Sequence, residues 1–247
     1  MAKSLDYFFN NRNHITSVSE EEYNYTSFII NALNTIIDTS DTGFYIIDYY
    51  RHNLLYISEN ITRWSGISVD SISRYGIDFL PDDEFDMLVE INNAVFDFLN
   101  KIPSKEYCNY KVSYNFNYSN NNKRYLINHT FAPLEIRNGK IWLSLCTITL
   151  SSRASHGNII MHKKGSNIQF KYSLGNLHWT SEETIKLTEI EKLIIRYSAQ
   201  GQTNEEIAQM LCKSIDSIKS HKKKMYQKMR VHNMPSAIVY AQNQCLL

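Results

Sequence analysis

Between Ser19 and Asp38 the apolar residues Phe28, Ile29, Ala32, Leu33, Ile36 and Ile37 recur every three or four positions. They follow Ser19-x-x-Glu22, a capping box, so an amphipathic helix is expected. After the breaker TSDTG the period changes: GFYIID and NLLYIS, separated by YYRH, read as two antiparallel strands. ITRWSG and VDSISRY read as short helical turns. Beyond Pro81, a longer helix is marked by Leu88, Ile91, Val95, Phe98 and Leu99, with acidic residues in its first turn. From 106 to 150 the pattern predicts three strands, EYCNYKVSYNFNYS, RYLINHTFAPLEI and IWLSLCTITLS. The turns between them, NNNK and RNGK, carry Asn and Gly, which tolerate positive φ. NIIMH and IQFKYS around KKGSN predict one more hairpin, and Trp179 beyond it predicts docking onto a domain rather than a loose tether.

The chain then turns helical. Thr188-x-x-Glu191 and Thr203-x-x-Glu206 are capping boxes, and Ser214 opens a third periodic run with Ser217 three residues on. Gly201 stands where a helix ends in a left-handed residue, and Ile207, Ala208 and Leu211 give the second helix a narrow apolar seam. PSAIVYAQNQ, from Pro235 to Gln244, predicts a last short helix with Pro in its first turn. The expected fold is therefore α+β: an N-terminal antiparallel sheet with helices, a linking β-hairpin, and a C-terminal all-α four-helix domain. The divisions read as a helical extension over 1–24, a sensor or dimerisation domain over 25–150, the hairpin over 151–182 and the helical domain over 183–247.

Charge sharpens that division. Lys and Arg number 12 against 18 Asp and Glu in residues 1–150, but 9 against 5 in residues 187–247, a split hidden by the net charge of +1. The basic half is the candidate for a polyanionic partner. Cys108, Cys146, Cys212 and Cys245 form no C-x-x-C pair, so reduced thiols and a cytoplasmic location are expected. No apolar run approaches the ~20 residues of a membrane helix, and no membrane partner is expected.

The run LTEIEKLIIRYSAQGQTNEEIAQMLCKSIDSIKSHKKKMYQKMRVHNMPSAI resembles a LuxR-type helix-turn-helix domain, without gaps over about fifty residues. The resemblance rests on Leu187-Thr188, Glu191, Ala199-x-Gly201-x-Thr203-Asn204-x-Glu206-Ile207-Ala208, Leu211, Ser214, Ser217-Ile218-Lys219-x-His221 and Lys228-Met229. Ile190 and Lys213 depart from the family's usual Arg and core aliphatic. The resemblance implies a scaffold helix over 204–211 and a recognition helix over 215–229 that enters the major groove of double-stranded DNA. Helical phase puts Ile218, Met225 and Met229 inward and Lys219, Ser220 and Lys223 outward as base contacts. Thr203, Lys213, Ser214, Ser217, His221 and Lys224 are then placed for phosphates, while Lys222 lies beside the buried stripe. A lysine run on a helix is ordinarily a solvated face; its position within the motif favours DNA. In this family the last helix pairs two copies, so exposed Ile238, Val239 and Tyr240 are expected to form a homodimer contact on a pseudo-palindromic site.

The order of the first 150 residues, with GFYIIDYYRHNLLYISENITRWSGISVDSI in particular, resembles a PAS sensor domain over roughly 25–150. A pocket between sheet and helices would draw on Phe44, Ile46, Trp64, Phe79, Tyr110, Phe131 and Trp142, and would admit a small-molecule ligand. These residues serve equally as ordinary core. No cofactor is required by the sequence, and His129 reads as a satisfied strand histidine rather than a haem ligand. No G-x-S-x-G, Walker loop, H-E-x-x-H or Cys/His ligand spacing occurs, so no enzyme is expected. Asp82-Asp83-Glu84-Asp86 reads as a helix-dipole cap rather than a metal site. The reading is a DNA-binding transcription regulator; the rival is a PAS-based interaction scaffold whose C-terminal unit only dimerises.

Overall fold

The computed structural model describes residues 3–37, 42–70, 72, 76–120, 123–151, 155–166, 168–243 and 246. Residues 39–41 of the breaker TSDTG, 121–122 of the turn NNNK, and 71 and 73–75 of VDSISRY lie outside the described residues, as does the side chain of Trp64. The chain divides into two compact units, Met1–Glu182 and Glu183–Leu247.

In the first unit, helix α1 (Glu20–Ile37) begins where the capping box predicts. Ser19 N donates to Glu22 Oε2 at 2.8 Å, and Glu22 N donates to Ser19 Oγ at 3.3 Å. The helix packs Tyr23 edge-on against Trp142, and the Tyr23 hydroxyl donates to buried Asp48 at 2.6 Å. Strands β1 (Gly43–Asp48) and β2 (Asn53–Ile57) follow, then α2 (Glu59–Ser65), α3 (Asp82–Leu99), and strands β3 (Tyr110–Asn120), β4 (Lys123–Arg137) and β5 (Lys140–Leu150). Helix α3 buries Phe85, Leu88, Ile91, Val95 and Leu99, each side chain contributing about 1.5–3 kcal/mol on burial. The β4–β5 turn places Asn138 at φ +50° and Gly139 at φ +75°, the backbone that RNGK was suited to adopt.

These strands belong to one eight-stranded sheet of order β2-β1-β5-β4-β3-β6-β7-β8. The segment expected as a linking hairpin supplies β6 (Gly157–Lys163) and β7 (Ile168–Ser173), with β8 (His178–Glu183) beyond them. β6 pairs antiparallel with β3, so this segment extends the sheet. Trp179 Nε1 donates to the Ala94 carbonyl of α3 at 3.3 Å and its ring lies against Phe98 and Tyr172, which accounts for a tryptophan outside the five strands.

The expected helical extension takes a different form. Residues 5–7 and 11–13 are single 3-10 turns, and the first α-helical residue is Glu20. Asparagine side chains divert the backbone there: Asn10 Oδ1 accepts from Arg12 N at 3.1 Å, and Asn13 exchanges two 2.8 Å hydrogen bonds with the N–H and C=O of Ile141.

The acidic cluster at the start of α3 is dispersed. Asp82 pairs with Lys3 at 2.9 Å, Asp83 reaches Arg124 at 3.9 Å, and fully buried Glu84 pairs with His156 at 2.8 Å. Among the described residues no helix is long and apolar enough to cross a membrane.

Candidate nucleic-acid interface

The second unit holds four helices: α4 (Glu189–Ala199), α5 (Asn204–Met210), α6 (Ile215–Met229) and α7 (Met234–Asn243). Their starts follow the side-chain chemistry at each cap. Both capping boxes form, Thr188 with Glu191 and Thr203 with Glu206, and Ser214 Oγ accepts from Ser217 N at 3.2 Å. Gly201 takes φ +85° after α4. The turn from α5 to α6 closes through Lys213 N donating to the Ala208 carbonyl at 2.8 Å, with Cys212 at φ +50°.

Packing then fixes the rotation of α6. Ile218 and Met225 are wholly buried and Met229 is 1% exposed. Ile218 joins Ile194, Ile207 and Ala208 in one cluster, while the two methionines join Leu187, Ile195, Ala237, Tyr240 and Ala241 in another. With that stripe inward, Lys219, Ser220, Lys223 and Lys224 are exposed. Thr203, Lys213 and Ser214 are also exposed, and Ser217 and His221 are half-buried. The oxygens of Thr203 and Ser214 accept from backbone N–H groups, which leaves each hydroxyl proton free to donate outward. Lys222 is half-buried, and burial lowers its pKa, consistent with a stem lying along apolar surface.

Two features of this unit differ from expectation. Tyr240, expected on an exposed face, is buried at 7% exposure in the protomer's own core. The inward face of α7 is Ala237, Tyr240 and Ala241, and two alanines leave room that the ring fills. Ile238 and Val239 are half-buried. The other feature is an ion pair that sequence reading missed: Lys228 Nζ donates to both Glu191 carboxylate oxygens, at 2.9 and 2.8 Å, and to the Lys186 carbonyl at 3.0 Å. Burial pushes the Glu191 carboxyl up, but the Lys228 and Thr188 hydrogen bonds outweigh it and hold the pKa below the usual value. The motif pair Lys228-Met229 held a signal for this contact, but its partner lies 37 residues away.

The first unit holds a cavity of about 230 Å³. Of the expected lining residues, Phe79 and Phe131 reach it. Phe44, Ile46, Tyr110 and Trp142 are buried elsewhere in the core. On β1 the wall is made by Tyr45 and Ile47, so Phe44 and Ile46 point to the opposite face. Strand neighbours in register complete it: Tyr114 opposite His129, Val112 opposite Phe131, and Phe131 opposite Cys146. His129 is 2% exposed, with Nε2 2.7 Å from the Tyr45 hydroxyl and its ring 4.7 Å from that of Tyr114. Burial drives its pKa down to about 3. Burial likewise raises the Cys146 thiol to about 12 and the Tyr45 and Tyr114 hydroxyls well above their ordinary range. The polar part of the wall is therefore neutral.

Against known families, residues 185–241 match the family of bacterial regulatory proteins known as GerE or the luxR family. The C-terminal unit is a LuxR-type helix-turn-helix domain. No curated protein matches the chain. Among solved structures, the phage VqmA–DPO complex is 15% identical with a TM-score of 0.32, the likeness covering 92% of this chain and 91% of that one. A Vibrio cholerae VqmA dimer without target DNA is also 15% identical at a TM-score of 0.32, covering 83% of each chain. Likenesses this slight leave the reading of each unit to its own residues.

Within the LuxR-type domain, the Glu191–Lys228 pair ties the start of α4 to the end of α6. Lys228→Met is expected to leave a carboxylate buried and unpaired, lowering the domain's stability by about 2–3 kcal/mol. Urea unfolding followed by helical circular dichroism measures the loss. Adding Glu191→Gln to that variant is expected to recover part of it, and equal instability of single and double variants would argue against the pair.

Proposed function

We propose that the protein is a sequence-specific DNA-binding transcription regulator that acts as a homodimer on double-stranded DNA, with a PAS-like first unit that senses a small molecule or mediates dimerisation. The observation that carries this reading is the rotation of α6. Its apolar stripe is locked inward, and Lys219, Ser220 and Lys223 stand exposed on the other side of the recognition helix of a LuxR-type domain. In the reading, those three meet base edges in the major groove. Thr203, Lys213, Ser214, Ser217, His221 and Lys224 flank them and take phosphates, fixing register without reading sequence.

The first unit supports a PAS-like assignment through its antiparallel order β2-β1-β5-β4-β3 and the apolar cavity between this sheet and α3. A cavity with few, neutral polar groups suits a small uncharged molecule. Ile238 and Val239 on α7 are the residues carried forward as the dimer contact. A signal in the first unit would act by changing how two LuxR-type domains pair, and so the half-site spacing they present.

The test is duplex binding by the full chain as a function of salt. Two lysines per protomer on phosphates, in a dimer, predict a log–log slope of about −4 or steeper. Affinity that is flat in salt, or absent on duplexes selected from a random pool, would favour a scaffold role.

A further inference from the structure

The outward strip of α6 carries one acidic side chain. Asp216 precedes Lys219 by three residues, Ser220 by four and Lys223 by seven, so at about 100° per residue it lies in the middle of the strip rather than at its margin. It is exposed, and among the described residues it has no hydrogen-bond or ion-pair partner. It does not cap the helix either, because Ser214 accepts from Ser217 N.

A carboxylate in this place is unsuited to phosphate, which it repels. Facing the floor of a major groove it has a specific use. An ionised carboxylate only accepts hydrogen bonds, and the donors displayed there are the N4 amino group of cytosine and the N6 amino group of adenine. The lysines beside it only donate, and so address the N7 and O6 acceptors of guanine. The strip thus presents one acceptor among donors, which is a pattern for bases and not for a uniform backbone.

Resting on the DNA-binding reading above, we infer that Asp216 is a specificity-determining residue that accepts a hydrogen bond from an exocyclic amino group of cytosine or adenine in each half-site. The test begins with a duplex selected from a random pool by the full chain. Each cytosine of the half-site is replaced in turn by 2-pyrimidinone, and each adenine by unsubstituted purine, which remove the amino group alone. One replacement is expected to weaken wild-type binding about five- to tenfold while leaving Asp216→Ala indifferent, and its identity tells cytosine from adenine. The variant is also expected to hold random duplex at least as tightly as wild type, since a repulsive charge is gone. The loss of base pairing in each analogue is common to both proteins and cancels in the comparison. Equal losses for wild type and Asp216→Ala at every position would overturn the inference and reduce Asp216 to compensating the helix dipole. A wild-type chain that selects no duplex would overturn the inference and the DNA-binding reading together. Selection that succeeds while the two proteins respond alike would remove only the inference.

Discussion

Replacing Lys219 and Lys223 together by alanine is expected to weaken binding to the selected duplex by a hundredfold or more, and binding to random duplex by much less. The difference follows from where the two side chains stand. Both are exposed on the side of α6 opposite Ile218, Met225 and Met229. A good base-edge contact is worth about 1–3 kcal/mol of discrimination, so two lost contacts amount to roughly 2–6 kcal/mol. Lys224→Ala, aimed at phosphate, is expected to weaken all duplexes alike and to make the salt slope shallower by about one. Lys222→Ala is the internal control, because its half-buried amine lies toward the apolar stripe and should change affinity little. Gel shifts on selected and random duplexes at several salt concentrations separate these outcomes. If the double variant lost affinity equally on both duplexes, its lysines would be phosphate contacts. If it lost none, the strip would not face DNA.

Much of this interface was legible because its determinants are local. A capping box is written in four consecutive residues, and both Thr188 and Thr203 form theirs as the spacing predicts. The phase of α6 follows from three apolar residues on one helix, so burial of Ile218, Met225 and Met229 could be read before any packing was known. What escaped the sequence depends on contacts between distant segments. The Glu191–Lys228 pair joins residues 37 positions apart. Tyr240 fills a space between helices that its own neighbours do not announce. The cavity wall was misread for a related reason. Phe44 and Ile46 are each 1% exposed, while Tyr45 and Ile47 face the cavity. A strand covered on both faces carries apolar residues throughout, and alternation then no longer tells which face is which. The addition of β6 to the free edge of β3 was hidden too, since edge pairing is decided by the partner and not by either strand alone.

That same wall yields the second large effect: the first unit is expected to lose stability as the pH falls from about 6.5 toward 3, and His129→Phe to abolish most of the loss. The native imidazole, 2% exposed, has its pKa driven down to about 3 by burial, whereas in the unfolded chain it titrates near 6.5. Between those values the unfolded chain takes up a proton that the native state refuses, so stability falls with falling pH; above about 6.5 the group contributes nothing. No counter-charge relieves the native state. The groups around the ring are Tyr45, Tyr114 and Phe116, and both hydroxyls are held neutral by burial. The full shift corresponds to about 5 kcal/mol, and the portion between pH 6.5 and 5 to about 2 kcal/mol. That upper window isolates the histidine, because the lowered carboxylates Glu22, Asp82 and Glu106 of the same unit titrate further down. Tryptophan fluorescence during urea unfolding reports this unit alone, since Trp64, Trp142 and Trp179 all precede the LuxR-type domain. A wild-type curve flat between pH 6.5 and 5, or one as steep in His129→Phe, would mean that the imidazole is solvated in the native state, and that the cavity wall is wetter than its closed packing implies.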